Sequence, residues 1–369
     1  MMNEIKTGLL IPNPKDNANY YLIRKLGQGA FGEVWLAVKQ DDRHHQIAIK
    51  FFKPFKEEDR KLFLAEYQRS ANFHHEDVLP SLFYGEWNNR LYMGMKLCEY
   101  GTAAQLIGKL HPNKKDDETL IWNFIYDTAS GLEYLHEREN VVHQDIKPDN
   151  IMINSDGDFV IMDFGISVSV NSDIQLSSYS EFGSPAYMAP ERFTDSNQII
   201  YANDIWSLGV SIYEMAVGTL PFNGFGGECA GNDLPSLPTG WSKQLNKVMQ
   251  SCFVRETWLR KRASEIKLYA EWVLKGRNGL DPWASYNPPL PPESCLDNSQ
   301  KKYNNSIKGK ATQRHISETK SRDTISNSIS TGESPNNPNQ NNQNIDIQQG
   351  EKPTGALAKM GKWVKGLFH

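Results

Sequence analysis

The sequence predicts an α+β fold, with a β-rich N-terminal region followed by a larger and mostly helical one. Three observations carry this expectation. Tyr20–Leu26 and Glu33–Val38 alternate apolar and polar residues, as half-buried strands do, and Gln46–Lys50 is a short apolar strand. Thr119–Arg138 places Leu120, Phe124, Leu132 and Leu135 at helical spacing, which predicts a long buried helix. The 369 residues are enough for two lobes or domains, each with its own core.

Composition narrows the classes further. A formal net charge of −4 argues against wholesale nucleic-acid binding. Cys98, Cys229, Cys252 and Cys295 form no CxxC pair, which reads as reduced thiols in an intracellular protein. The longest apolar stretch, Leu208–Phe222, is broken by Glu214 and is too short to span a bilayer. The N-terminal MMNEIKTGLL lacks the basic start and long apolar run of a secretory signal. These features predict a soluble, cytoplasmic protein. The hydrophobic share of 39% is lowered by the residues after about 285, so the first three quarters are ordinary.

Gly27, Gly29 and Gly32 form a GxGxxG turn between the first two strands. A dinucleotide-binding fold uses the same spacing, but there the glycines open a helix. Here EVWLAVKQ follows with strand alternation, so the hairpin reading is preferred. Bare glycines let backbone N–H groups lie over phosphate oxygens, and Phe31 stands at the tip to help exclude water. Lys50 ends the next strand, Glu57–Phe73 has helical composition, and Glu66 lies nine residues before His75. Leu91–Met95 reads as a strand, continued by a Lys96–Tyr100 connector.

The long helix feeds into Val141–Gly165, VVHQDIKPDNIMINSDGDFVIMDFG. Asp145, Lys147, Asn150 and Asp163 bring two carboxylates, a lysine and an amide into one span. Such groups hold metal ions and a nucleotide phosphate and accept a proton from an attacking hydroxyl.

The order HxDxKxxN followed by DFG resembles the catalytic and metal-binding loops of the eukaryotic-type (Hanks-type) serine/threonine protein kinase family. The resemblance covers about residues 18–276 and implies a bilobal protein-kinase-like fold, with an N-lobe over 18–97 and a C-lobe over 98–276. It implies ATP as phosphate donor with Mg2+, or Mn2+ in its place, and Ser/Thr hydroxyls of proteins as acceptors. Asp145 would orient the hydroxyl and accept its proton, Lys147 would meet the γ-phosphate, and Asn150 and Asp163 would ligate the metal. Lys50 would neutralise the α- and β-phosphates, partnered by Glu66. Val34, Ala48 and Met152 would sandwich the adenine, Met95 would stand behind it, and backbone groups of Lys96 and Cys98 would bond its edge. His143 and Phe164 would stack in a second packing column.

Downstream, Gly183–Glu191 (GSPAYMAPE) resembles the end of the family's activation segment, and Ser184 keeps a hydroxyl that can bond Asp145 and Lys147. Ser177, Ser178, Tyr179 and Ser180 are candidate autophosphorylation sites. Asp204 is expected to cap the catalytic-loop backbone. Glu191 is expected to pair with Arg260, with Arg262 as the alternative.

Two residues depart from the family pattern. Gln144 replaces the arginine that binds an activation-segment phosphate, which makes the chain non-RD and argues for activity independent of that phosphate. Ser70, four residues after Glu66, stands where the family prefers a large apolar group and is expected to weaken the active arrangement of the helix. These departures keep a pseudokinase scaffold as the competing class. The brevity of the domain and its tail suggest a prokaryotic-style member.

Residues 277–354 begin Pro-rich and turn to Asn, Gln, Ser and Thr, a composition that predicts a disordered linker carrying phosphorylation sites such as Ser306 and Thr312. Residues 355–369 differ. At about 100° per residue, Leu357, Met360, Trp363, Val364, Leu367 and Phe368 gather on an arc of roughly 140°, opposite Lys359, Lys362 and Lys365. This is a basic amphipathic helix, for which two dockings stay open: an anionic membrane, at its inner face, or the kinase domain or a partner protein. Oligomeric state is not readable from the sequence.

Overall fold

The computed structural model describes residues 4–29, 32–53, 57–165, 167–169, 183–194, 200–231 and 233–285. Within these ranges, the side chains of 57–59, 62, 65, 66, 168 and 169 are not described. The linker and amphipathic tail, Phe31, Ser177, Ser178, Tyr179 and Ser180 all lie outside the described residues.

The N-terminal region is an antiparallel sheet of β1 (Leu10–Pro12), β2 (Asn19–Gln28), β3 (Gly32–Lys39), β4 (Gln46–Phe52), β5 (Ser81–Trp87) and β6 (Arg90–Lys96). Their spatial order is β1-β2-β3-β4-β6-β5. Alternation works as expected in β2, where Tyr20 and Leu22 are buried while Tyr21 and Ile23 are exposed. The inner face joins Ile11, Leu22, Trp35, Ile49, Phe51 and Phe83 in one core. Strand β1 has no sequence signature, because three residues ending in proline cannot display a period. Burial of Ile5 and Ile11 holds this segment on the sheet, and the Tyr92 hydroxyl donates to the Pro12 carbonyl at 2.7 Å.

Helix α1 (Glu57–Ser70) packs Phe63 edge-on against Phe52 at 4.8 Å. It ends three residues before the expected Phe73. The amides of Asn72 and Phe73 bond the carbonyls of Arg69 and Ser70, tightening the chain into a turn.

The helical region is built on α2 (Lys115–Glu133), buried without a break from Leu120 to Leu132. The helix begins earlier than Thr119, with Asp116, Asp117 and Glu118 in its first turn, where acids oppose the helix dipole. Its expected end, Tyr134–Arg138, winds as a π turn. A short α3 (Glu191–Thr194) follows the GSPAYMAP run, and α4 (Tyr201–Val217), α5 (Lys243–Cys252) and α6 (Ala263–Leu274) complete the core. The apolar Leu208–Phe222 stretch lies mostly in α4. A Cβ at Gly209 would sit 2.5 Å from the Cβ of Cys252, so glycine there lets α4 and α5 touch. Among the described residues no helix is long and apolar enough to cross a membrane.

Small strands frame the loop that carries the candidate chemistry. β7 (Val141–Val142) pairs with β10 (Val168–Ser169), and β8 (Ile151–Ile153) pairs with β9 (Phe159–Ile161). The order of a β-rich lobe followed by a helical one is the α+β, bilobal arrangement expected from the sequence.

The chain leaves the helical region along α5 and α6. Trp283 lies 4.2 Å from the Tyr269 ring and donates its indole N–H to the Glu265 carbonyl at 3.2 Å. Asp281 pairs with Lys247 at 2.9 Å. The first residues of the Pro-rich exit, Asp281 to Trp283, therefore belong to the packed structure.

Candidate active site

A cleft of about 540 Å³ opens between the sheet and the helical region. It is lined by the sequence-predicted Gly27, Gly29, Gly32, Val34, Ala48, Lys50, Met95, Lys96, Cys98, Met152 and Asp163. Leu26, Leu79 and Met162 also line it and were not expected. Met162 immediately precedes Asp163, and that adjacency was the one signal available for it.

The glycine-rich turn has two kinds of glycine. A Cβ at Gly27 or Gly29 would meet nothing, so these two leave open space over the cleft. At Gly32 a Cβ would meet the Phe51 carbonyl oxygen at 1.9 Å. Gly32 is thus required for backbone packing of β3 on β4. The base of this hairpin is pinned by Glu33, which pairs with Lys25 at 2.6 Å and Arg90 at 2.9 Å.

Strand β4 aims Lys50 into the cleft, where its Nζ meets Asp163 Oδ2 at 3.4 Å and lies 4.9 Å from the Phe52 ring. Asp163 takes a left-handed backbone, φ 68°, which turns its carboxylate toward the lysine. Burial pushes the Asp163 pKa up, but Lys50, His143 and the Gly165 amide outweigh burial and hold it below the usual carboxylate value. The backbone of Glu66 lies in α1; its side chain is outside the described residues, so its pairing with Lys50 stands as an expectation. Burial pushes the Cys98 thiol up to about 12, which leaves it neutral and unreactive at the cleft wall.

The catalytic loop is held from below by Asp204. Its carboxylate accepts the amides of His143 and Gln144, each at 2.8 Å, and faces His136 Nε2 at 2.8 Å. Gln144 adopts φ 69°, and its side chain is a neutral amide. His143 lies edge-on to Phe164 at 5.2 Å, and Phe164 to Phe73 at 4.9 Å, so the second packing column forms.

Above this floor, Lys147 Nζ bridges Asp145 Oδ2 at 2.8 Å and Ser184 Oγ at 2.6 Å. Asn150 donates its amide to the Asp145 carbonyl at 2.8 Å and to Asp145 Oδ2 at 2.7 Å. The expected Ser184 contact with Asp145 is therefore made through the lysine. Among the described residues Asp145 Oδ1 is buried with no hydrogen-bond partner. A buried carboxylate oxygen is costly in that state, and an incoming hydroxyl would satisfy it. With its nitrogen committed, Asn150 offers a hard oxygen, and Asp163 offers a second across the cleft. These donors suit Mg2+ or Mn2+.

Below the site, Arg260 grips the Glu191 carboxylate through two bonds of 2.7 and 3.1 Å. The alternative, Arg262, instead starts α6. Ser70, the second departure, is buried and bonded to Ser81 Oγ at 2.6 Å. A serine in a strand gave no signal of this, so Ser81 was missed.

Comparison with known proteins agrees with this geometry. The family description "Protein kinase domain" matches residues 20–267. The chain is 32% identical over 256 residues to mitogen-activated protein kinase kinase kinase 3 of Arabidopsis thaliana, covering 65% of this chain and 40% of that protein. It is 32% identical over 236 residues to a calcium/calmodulin-dependent protein kinase kinase of Caenorhabditis elegans, covering 55% and 42%. It is 30% identical over 264 residues to the serine/threonine-protein kinase pakA of Dictyostelium discoideum, covering 69% and 21%. The chain belongs to the protein kinase family, on the serine/threonine side of it. It spans less than half the length of these relatives.

Proposed function

We propose that this chain transfers the γ-phosphate of ATP to serine or threonine hydroxyls of proteins. The observation that carries the reading is the pairing of two half-sites across one cleft: Lys50 with Asp163, and Asp145 with Lys147, Asn150 and Ser184. Phosphoryl transfer needs little covalent work from a protein, so positioning and charge supply most of the rate.

Asp145 accepts the hydrogen bond of the incoming hydroxyl at Oδ1 and takes its proton as the oxygen attacks. Lys147, on the other oxygen of the same carboxylate, fixes its orientation and brings positive charge to the transferring group. Lys50 draws the α- and β-phosphates toward the sheet, and Gly27 and Gly29 admit them beneath the hairpin. A divalent metal held by Asn150 and Asp163, Mg2+ in the first instance, would offset the charge that builds on the phosphate oxygens. Ser184, held by Lys147, favours serine and threonine acceptors. Incorporation of label from γ-labelled ATP, followed by phosphoamino-acid analysis, tests the reading; label found solely on tyrosine would contradict it.

Three finer readings are proposed with it. Activity is independent of a phosphate at the loop, because Gln144 cannot make a bidentate charged contact; phosphatase treatment should leave the rate unchanged. The chain phosphorylates itself, which mass spectrometry of protein incubated with ATP and of an Asp145→Ala control would reveal. The segment 355–369 attaches a cytoplasmic enzyme to anionic membrane, by its lysines and apolar arc; equal vesicle co-sedimentation of the full chain and of a chain ending at Gly350 would exclude this in favour of docking on the kinase domain or a partner protein.

A further inference from the structure

A row of polar side chains ties the glycine-rich hairpin, between β2 and β3, to the sheet beside it. Lys25 Nζ on β2 donates to Gln28 Oε1, between Gly27 and Gly29, at 3.2 Å and pairs with Glu33 Oε2 on β3 at 2.6 Å. Arg90, the first residue of β6, donates from Nη1 to Glu33 Oε1 at 2.9 Å. Its Nε donates to the Phe52 carbonyl, also at 2.9 Å. Strand β4 lies between β3 and β6, so the arginine spans it, with its guanidinium 5.9 Å from the Phe51 ring. The row therefore starts in the glycine turn and ends on the backbone of β4.

We propose that Arg90 is a positioning residue for the nucleotide: through Glu33 and Lys25 it holds the glycine-rich hairpin at one height over the cleft and so sets the affinity for the phosphates of ATP. The inference rests on the kinase reading of the cleft above. The hairpin needs such a tie. Its backbone ladder shifts register between Lys25 and Gly27, and a shift of this kind loosens the pairing just below the turn. Gly27 and Gly29 carry no side chains that could pack the turn onto the cleft. Arg90 supplies the better shielded half of the tie, since the side chains of Glu33 and Arg90 are 13% and 19% exposed against 39% for Lys25. Its planar fork also reaches a carboxylate and a carbonyl at once, which a lysine ammonium on its single stem does not.

The tie is placed to matter for nucleotide. Gly32 and Val34, on either side of Glu33, both line the cleft, and Val34 stands opposite Lys50 across the strand pair. A displacement at Glu33 therefore moves the wall over the phosphates and the wall over the base together. Phe52, whose carbonyl takes Arg90, lies with its ring 4.9 Å from Lys50 Nζ, so the far end of the row abuts the phosphate-facing lysine. Among the described residues lining the cleft, Lys25, Glu33 and Arg90 do not appear, so they act through the position of the hairpin. One carboxylate between two cations leaves positive charge in excess, which could by itself attract phosphates. Position and charge predict opposite signs for Glu33→Gln. Loss of the tie weakens nucleotide binding, whereas loss of a negative charge alone strengthens it.

Full-length Arg90→Ala, Arg90→Lys, Glu33→Gln and the Arg90→Ala/Glu33→Gln double variant test this against wild type. The readouts are the MgATP dissociation constant by calorimetry, KM for a protein acceptor, and amide hydrogen exchange across β2 and β3 with α2 as internal reference. Arg90→Ala and Glu33→Gln are each expected to weaken MgATP binding about tenfold and to speed exchange in the hairpin, with KM for the acceptor within about twofold. Arg90→Lys, which keeps the charge and loses the fork, should lie nearer to Arg90→Ala than to wild type. The double variant should match Glu33→Gln, because Arg90 acts through that carboxylate. Tighter MgATP binding by Glu33→Gln would overturn the proposal in favour of charge alone. Unchanged MgATP affinity in an Arg90→Ala protein of lowered melting temperature would overturn it too, by leaving the row a purely structural role. A wild-type chain that bound no MgATP would remove the reading of the cleft, and the tie itself would then stand or fall on the exchange of β2 and β3.

Discussion

Lys147 stands between Asp145, at 2.8 Å, and Ser184, at 2.6 Å, so one ammonium group ties the catalytic loop to the GSPAYMAPE segment. Its charge makes both bonds stronger than neutral ones. Removing the serine hydroxyl with Ser184→Ala leaves Lys147 with one anchor fewer, and kcat should fall about tenfold, the worth of one charge-assisted bond. Ser184→Thr keeps the hydroxyl and should stay within about threefold of wild type. Steady-state kinetics on the two variants checks this, and equal rates for both would contradict it.

Glu191 and Arg260 form a buried pair, with the arginine also donating to the carbonyls of Val254 and Ala202 and lying 5.2 Å from the Trp206 ring. Arg260→Ala strands a buried carboxylate. It should cost about 3–5 kcal/mol of stability in denaturant unfolding. Arg260→Lys should recover little of this, because an ammonium cannot reproduce the planar fork that reaches Glu191 and two carbonyls together.

How much of this was legible beforehand follows from the kind of signal each part has. Strands β2, β3 and β4 announce themselves by alternation, and α2 by its apolar spacing. Asp145, Lys147, Asn150 and Asp163 are close in sequence, so spacing alone groups them. Arg260 could be matched to Glu191 across 69 positions only through family resemblance. Strand β1 was hidden because three residues show no period. Ser81 was hidden for another reason: a lone strand serine has no pattern, and its role exists only where the fold brings it to Ser70. The docked Trp283 was masked by the prolines around it, which suggested an exit from the structure ahead of the ring that anchors it.

The Glu33 carboxylate carries a pH prediction. Burial pushes its pKa up, but hydrogen bonds from Lys25 and Arg90 outweigh burial and hold it below its ordinary 4.5. A depressed carboxyl stabilises the fold above the unfolded value, and that contribution is lost as pH falls through the folded one. The stability gap between wild type and Glu33→Gln should therefore be widest near neutral pH and close as the pH falls below the ordinary 4.5. Urea unfolding at stepped pH measures it, and a gap that widened on acidification would contradict the assignment.

Trp283 should act as a clasp on the helical lobe. It packs on Tyr269, and its ring lies 5.4 Å from Lys247 Nζ and 5.1 Å from Lys261 Nζ. Trp283→Ala should lower stability by about 1–2 kcal/mol, and a chain ending at Gly276 should lose at least as much. Thermal melts compare the three proteins. Equal melting of the wild type and the shortened chain would show that the clasp contributes nothing.

In the proposed function, the two half-sites on either side of the cleft form one phosphotransfer centre with Asp145 as proton acceptor. Its most direct test is transfer of label from γ-labelled ATP to a protein acceptor by the full chain and by Asp145→Asn, a variant that keeps the shape of the side chain. Label is expected on serine or threonine, with at least about a hundredfold lower rate in the variant and nucleotide binding retained. Equal rates for the two proteins, or no transfer by a wild-type chain that binds ATP and Mg2+, would contradict it.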